Sequence, residues 1–555
     1  MVAAKILQDT AMGKKRSKLN ASSYRELQEE IISFHNGIKS LETKLKFLPL
    51  IRHKSPPSVF LEGFEIFHGD HHGLSDIIHF LNSLATLAKI GGDHQEREHL
   101  AASALFNWEE NIIVARAPGR LDVMGGIADY SGSLVLLMPT REACHAAMQR
   151  NHPSKQKLWN HAEARHHIRD NLILEIVSFG SELSNRGPTF DTDVSDFVEE
   201  DGKPISYEKA SITFPGIHLR SWWATYLAGT ILVLMREMGV RFEDCISILV
   251  SSTITEGKGV SSSASVEFAT MSTVAAAHGL EISPRDVALL YQKVDNYVIG
   301  APCAVMDQMA SACGEANKLL AIISQTMIKS FASSFAEANS EEAEEESSKL
   351  IESDASLDYL CNISPHRFQA FYTSKLPQSI IAAEFIKKYG DHGDSVTTID
   401  RKSTYDIMAP TRHPIYENFR VQAFKELLTA TPSEEQVTGL GELMYQCHDS
   451  YYTCEIGSDG TERLVKLVHN MEKLKSSKTE NGTLYGAKNT GGGSGGTIYV
   501  IGRSSLRSSE QIFQIQRKYK EATGFMPYVF EGSSPGACKF EYLKIRKNSA
   551  STSST

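Results

Sequence analysis

The distribution of hydrophobic and polar positions divides the chain. Residues 1 to about 55 are polar and basic, with one amphipathic stretch over Tyr24 to Leu50, closed by Ser55-Pro56-Pro57-Ser58. This predicts a helical leader and linker over residues 1–63. A helix is expected over Asp76 to Ile90. From Asn111 the texture changes. Ile112-Ile113-Val114 is a short apolar run entering Ala117-Pro118-Gly119, a pattern that predicts a strand ending in a turn. Ser133 to Met138 predicts a second buried strand. Ile246, Ile248 and Val250 alternate with Ser247 and Leu249, which predicts a third. The run from Trp222 to Met235 lies between Arg220 and Arg236 and falls short of the ~20 residues a membrane span needs. It reads as a buried helix. Ser261 to His278 is rich in Ala, Ser and Val with Glu267 as its one acidic or basic charge, the signature of a nearly buried helix. Thr497 to Ile501 is the last strand signal. Strands interleaved with helices imply mixed β-sheets packed with helices, an α+β architecture.

An acidic low-complexity stretch from Ser333 to Ser348 interrupts this pattern. It contains Glu341, Glu342, Glu344, Glu345 and Glu346, and like charges at that density cannot bury a core. It predicts a disordered linker over 326–356, between an N-terminal lobe over 64–325 and a C-terminal lobe over 357–548. The Ser/Thr-rich residues 549–555 read as a loose tail. The chain is 555 residues long, which fits two or three domains.

Composition narrows the function classes. The 57 basic residues against 67 acidic ones give a net charge of -10, which argues against nucleic-acid binding. Eight cysteines without a C-x-x-C pair argue against a zinc knuckle or a disulfide framework and read as free thiols in a reducing compartment. The N-terminus lacks the apolar core of a signal peptide, so the expectation is a soluble cytoplasmic protein with no membrane partner, monomeric or weakly homo-oligomeric. His68, His71, His72 and His79 have no accompanying carboxylate or Cys pattern. A solvated turn is the better reading than a metal site.

Three segments carry chemistry. In the first, Glu256-Gly257-Lys258-Gly259-Val260-Ser261-Ser262-Ser263-Ala264 lies between a strand and the small-residue helix. Glycines permit close backbone approach, and a helix start offers free N–H groups to a phosphate. The alternative is a serine-rich helix cap. It is not a Walker loop. In the second, Gly491 to Gly496 precedes the last strand, so a structured loop is favoured over a flexible linker. The third is Arg116, Arg120, Asp122, Asp129 and Tyr130 around Ala117-Pro118-Gly119, for which surface ion pairs are the ordinary outcome.

Together, Ala117-Pro118-Gly119-Arg120 with Asp129-Tyr130, Gly259 to Ala264, and the Gly491 to Gly496 loop resemble the three signature motifs of the GHMP kinases. Pro302-Cys303-Ala304-Val305-Met306-Asp307-Gln308 resembles the galactokinase branch, and the texture is most similar to the kinase half of its plant arabinokinase members. The resemblance spans about Phe64 to Arg546. It implies a two-lobed fold with the active site between the lobes, using ATP and Mg²⁺. Gly257, Lys258, Gly259, Val260, Ser261, Ser262, Ser263 and Ala264, with Gly492 and Gly493, would surround the ATP phosphates. Ser263 and Asp295 would hold Mg²⁺, Asp295 standing where the family has a longer glutamate. Asp307 would sit beside the sugar's anomeric hydroxyl, with Arg120 holding it ionised. Gly126, Ile127, Asp129, Tyr130 and Asp307 would line the sugar site.

The resemblance also bears on substrate. Galactokinases carry a glutamate for the sugar's 6-hydroxyl where this chain has Gly126, followed by Ile127. L-Arabinopyranose lacks that exocyclic group, and a buried carboxylate without a partner costs ~1–3 kcal/mol. L-Arabinose is therefore expected over D-galactose. After Gln325 the relatives continue with several tens of residues absent here. That departure leaves two alternatives beside an arabinose 1-kinase: a galactokinase, or a sugar-binding pseudokinase without turnover.

Overall fold

The computed structural model describes residues 63–89, 97–151, 172–179, 187–217, 223–301, 303–323, 359–389, 399–473, 483–493 and 495–548. The expected leader over 1–63, apart from its last residue Gly63, the acidic linker and the tail lie outside the described residues. One large sheet organises the molecule. Its strands are β1 (Phe64–His68), β2 (Ile112–Met124), β3 (Leu134–Asn151), β4 (Ile173–Phe179), β5 (Thr189–Asp193), β6 (Cys245–Ser252), β7 (Leu320–Ile323) and β12 (Tyr542–Lys547). They pair in the order β1-β12-β2-β3-β6-β4-β5, with β7 also on β3. The β4–β6 pair is parallel and the others are antiparallel. Small two-stranded sheets are formed by β8 (Ser379–Ile381) with β9 (Thr404–Asp406), and by β10 (Leu484–Asn489) with β11 (Ile498–Gly502).

Alternation along the strands builds two cores. Ile246, Ile248 and Val250 face one core with Ala146 and Ile176, while Leu249 faces the other with Val114, Ala147 and Val177. The first face is covered by α3 (Tyr207–Ile217), α4 (Ala224–Met238), α5 (Ser262–Ala277) and α6 (Pro284–Lys293), with α7 (Met306–Cys313) against β2. The second is covered by α1 (Ser75–Leu87) and α2 (Arg97–Leu105). Leu227, Ile231 and Leu234 on α4 are fully buried, each worth ~2 kcal/mol relative to exposure. A third core joins α8 (Met408–Thr429) and α9 (Glu434–Thr453) to the far ends of β2 and β3 through Val123, Met124, Leu136, Phe424 and Tyr451. Beyond it, α10 (Asp459–Lys473) and α11 (Leu506–Thr523) pack on β10. The short α12 (Ala537–Phe540) then leads into β12.

Several expectations change. The strand from Ile112 does not turn at Pro118 but runs on to Met124, with its ladder to β3 interrupted between Pro118 and Arg120. The missing ladder partners are replaced from the other side: the Pro118 carbonyl accepts hydrogen bonds from Ser265 Oγ at 2.8 Å and Ser311 Oγ at 2.7 Å. The strand expected over Ser133 to Met138 extends to Asn151. The expected C-terminal lobe returns its last strand, β12, to the first sheet between β1 and β2. Among the described residues no three His, Cys, Asp or Glu side chains gather as a metal site, and His68 stacks on Tyr542 instead. The eight cysteines are free, and no described helix is long and apolar enough to cross a membrane.

Candidate active site

The interrupted ladder aims Arg120. In a regular strand, Arg116 and Arg120 would share a face. Arg116 does reach Asp76 on α1, but beyond the interruption Arg120 turns to the elements of the opposite face. Its Nη1 donates to Gly259 O at 3.0 Å, its backbone N–H to Val260 O at 3.0 Å, and its Nη2 to Asp307 Oδ1 on α7. Neither arginine is a surface residue: both are buried, which overturns the surface ion-pair reading. Burial alone would lower the Arg120 guanidinium, and the charges of Asp307 and Asp122 hold it above its ordinary value. The side chain of Asp307 is 26% exposed, so the pair has a dry side and an open side.

The segment before α5 forms a concave backbone. Gly257, Gly259 and Ser261 have φ of 64°, 73° and 60°, an alternation that turns successive N–H groups toward one centre. A serine in this region costs ~1 kcal/mol, strain of a kind that collects at ligand sites. Ser261 Oγ is buried with no hydrogen-bond partner among the described residues. Ser262 and Ser263 open the helix, half-buried, and Lys258 is exposed beside them. Val260 and Ala264 are buried in packing, so only their backbone is available.

Gly491 and Gly495 lie against this segment. A Cβ on Gly495 would lie 2.0 Å from Gly259 N, so only glycine permits the approach. Gly491 lies against Arg120 and Gly259 O in the same way. The two glycines expected at the phosphates differ from each other: Gly492 is exposed, with nothing within 4 Å of where a Cβ would stand, and Gly493 packs on Ile456, Asn489 and Tyr451. The Asn489 side chain beneath is buried with neither amide atom partnered among the described residues.

The third wall is the turn 125–131. Asp129 is buried, and neither oxygen has a well-formed hydrogen bond among the described residues. Burial, with the Asp307 charge added, pushes its carboxyl well above the usual range, against a weaker pull from Arg120. Tyr130 is half-buried and its phenol is raised, chiefly by burial. Gly126 and Ile127, expected to line the sugar site, face the packing of α8 and α9 instead. Gly126 has φ 46°, and a Cβ there would meet the Tyr451 hydroxyl at 1.6 Å. Ile127 packs into the apolar cluster of α8 and α9.

Asp295 follows α6 in a π-helical segment, Val294–Ile299. Its Oδ2 accepts from Gln308 Nε2 at 3.0 Å and Cys303 Sγ at 3.4 Å, and no cation pairs with it among the described residues. Burial, with the Asp307 charge added, raises it to about 7. A desolvated carboxylate lacking a counter-charge fits a divalent cation. Mg²⁺ typically takes one or two protein ligands and completes its shell with phosphates and water, which a single desolvated carboxylate can serve.

Sequence reasoning missed the residues that hold this turn. Lys488 Nζ donates to Asp122 Oδ2 at 2.8 Å, and both side chains are fully buried. Glu417 and Tyr451 also reach the turn from helices about three hundred residues away. No local spacing signals such contacts.

Residues 103–150, which carry Arg120 and Asp129, match the model of the galactokinase galactose-binding signature. Residues 225–315, which carry the cradle, Asp295 and Asp307, match that of the GHMP kinases N terminal domain, and residues 424–522 that of the GHMP kinases C terminal. The chain belongs to the GHMP kinase family. This GHMP kinase is 51% identical to an L-arabinokinase of Arabidopsis thaliana over 98% of its own length, and it spans 60% of that relative. The match runs over 626 positions against 555 residues here, so the relative carries residues that this chain lacks. A galactokinase of Thermosipho africanus is 28% identical over 62% of the chain and 90% of the relative. A Lactococcus lactis galactokinase solved with galactose shares the fold, with a TM-score of 0.52 and 18% identity over 79% of this chain and 97% of that one.

Proposed function

We propose that this chain is an ATP-dependent sugar 1-kinase that phosphorylates the anomeric hydroxyl of L-arabinose, giving β-L-arabinose 1-phosphate. The observation that carries the reading is the buried Arg120–Asp307 pair, open on the Asp307 side and set between the N–H cradle of α5 and the Asp129 turn. Phosphoryl transfer depends on positioning and charge stabilisation more than on covalent steps. The cradle's N–H groups, the helix start and Ser261 would bind the ATP phosphates. Asp307 would accept the anomeric hydroxyl's proton or orient that hydroxyl, and Arg120 would stabilise charge on the transferring group. Asp129 would take ring hydroxyls, which supply the hydrogen bonds its oxygens lack. Mg²⁺ held by Ser263 and Asp295 would neutralise developing phosphate charge.

The preference for a pentose is supported by the absence of a carboxylate at position 126. The free cysteines fit a reducing, cytoplasmic setting. A second reading, sugar binding without turnover, is favoured by one observation: the arabinokinase relative has residues opposite gaps in this chain. Product analysis by phosphorus NMR, with ATP, Mg²⁺ and either L-arabinose, D-galactose or no sugar, separates these readings. An anomeric phosphate with arabinose in excess of galactose is expected. Galactose phosphate in excess would reassign the substrate, and sugar binding without product would establish the second reading.

A further inference from the structure

Three consecutive N–H groups of the 125–131 turn are each held by a buried side chain. Gly125 N donates to Glu417 Oε1 at 3.2 Å, Gly126 N to Asp122 Oδ1 at 3.0 Å, and Ile127 N to Tyr451 Oη at 2.8 Å. Two of the three holders are themselves pinned by cations, Glu417 by Arg420 Nε at 2.7 Å and Asp122 by Lys488 Nζ at 2.8 Å. Tyr451 differs. Its hydroxyl accepts from the turn and donates to Gly491 O at 3.2 Å, in the segment that lies against the cradle. The ring is fully buried, stands edge-on to His413 at 5.0 Å and lies against Gly493. One hydroxyl therefore joins the wall that carries Asp129 to the loop that lies on Gly259.

We propose that Tyr451 is a positioning residue that couples the two half-sites, so that nucleotide binding orders the Asp129 turn and sugar binding orders the loop segment that carries Gly491. This rests on the sugar-kinase reading above. A hydrogen-bonded phenol on a rigid helix transmits a shift of either loop to the other. Binding coupling of this kind is reciprocal and commonly at least ~5-fold. Tyr451 contacts neither reacting group, since its side chain is closed off beneath the loops.

The test measures the dissociation constant of L-arabinose by calorimetry with and without a saturating non-hydrolysable ATP analogue and Mg²⁺. The parent is expected to bind sugar at least about 5-fold tighter with the analogue. In Tyr451→Phe, which keeps the ring and loses both hydrogen bonds, that ratio is expected to fall toward one. A merely structural role would weaken both measurements together and leave the ratio intact, which would overturn the proposal. A second measurement needs no variant: in the parent, the analogue alone is expected to slow hydrogen exchange at Gly125 to Ile127. Unchanged exchange there with the analogue bound would also overturn it. A parent that binds both ligands with a ratio of one removes the coupling alone, whereas a parent that binds neither removes the kinase reading beneath it.

Discussion

Arg116 and Arg120 lie four residues apart on β2, and both are buried against a carboxylate. Their surroundings differ in completeness. Arg116 donates to Asp76 at 2.5 Å, to Pro535 O at 3.1 Å, to Arg141 O at 3.2 Å and to Ser534 Oγ at 2.8 Å, so each guanidinium nitrogen is used. Arg120 leaves its Nε buried without a partner among the described residues, and its partner carboxylate stays partly exposed. The first arrangement closes the junction of α1, β2 and the segment before α12. The second leaves hydrogen-bonding capacity for something the protein binds. On the function proposed above, completeness of hydrogen bonding, rather than burial or charge, is what separates a structural arginine from a working one.

Substitution separates the two sites. Arg120→Met keeps the volume and removes the cation, so turnover is expected to fall by about a thousandfold with little change in melting temperature. Steady-state kinetics with a parallel melt checks both halves. At the other site, Asp76→Ala strands the Arg116 charge and is expected to cost about 3 kcal/mol of stability, read by denaturant unfolding, with kcat of the folded fraction unchanged. A loss of kcat there would mean that α1 communicates with the site.

The two regions also differ in the sign of their pH response. Asp76 is held well below the usual carboxylate range by its bonds to His145 and Arg116, which outweigh the burial that opposes them. Its contribution to stability is complete above that range and is lost as pH falls below it. Asp295 is raised to about 7, mainly by burial, so the folded chain keeps a proton that the unfolded chain has released. Its effect is to lower stability as pH rises from the carboxylate range to about 7. Asp295→Asn is therefore expected to melt higher than the parent by a few degrees at about pH 8, and level with it at about pH 4, in metal-free buffer. Equal melting at both pH values would show that Asp295 is not desolvated.

The part of the site that local pattern encodes was legible in the sequence. Gly257 to Ser263 sit between strand and helix as their composition implies, and Asp307 meets Arg120 as the family motifs imply. What escaped is long-range. The pairing of β12 with β1 and β2 joins residues more than four hundred positions apart. The Tyr451 hydroxyl beside Gly126 arrives from α9, more than three hundred residues away, and it shows why residue 126 is glycine in a way that the lost carboxylate alone does not. Pro118 misled for a different reason. Proline before glycine reads as a turn, yet here it sits at a ladder interruption where Ser265 and Ser311 satisfy its carbonyl.

In the function proposed here, the phosphoryl group moves at the incomplete pair, Arg120 with Asp307. Asp307→Asn tests it most directly, because the substitution keeps the size and a hydrogen-bonding side chain while removing the charge. Single-turnover transfer from radiolabelled ATP to L-arabinose, at saturating concentrations of both, reads the chemical step apart from binding. The expected result is a rate at least about a hundredfold below the parent, with nucleotide affinity unchanged. A rate within a few-fold of the parent would contradict it and place the chemistry elsewhere.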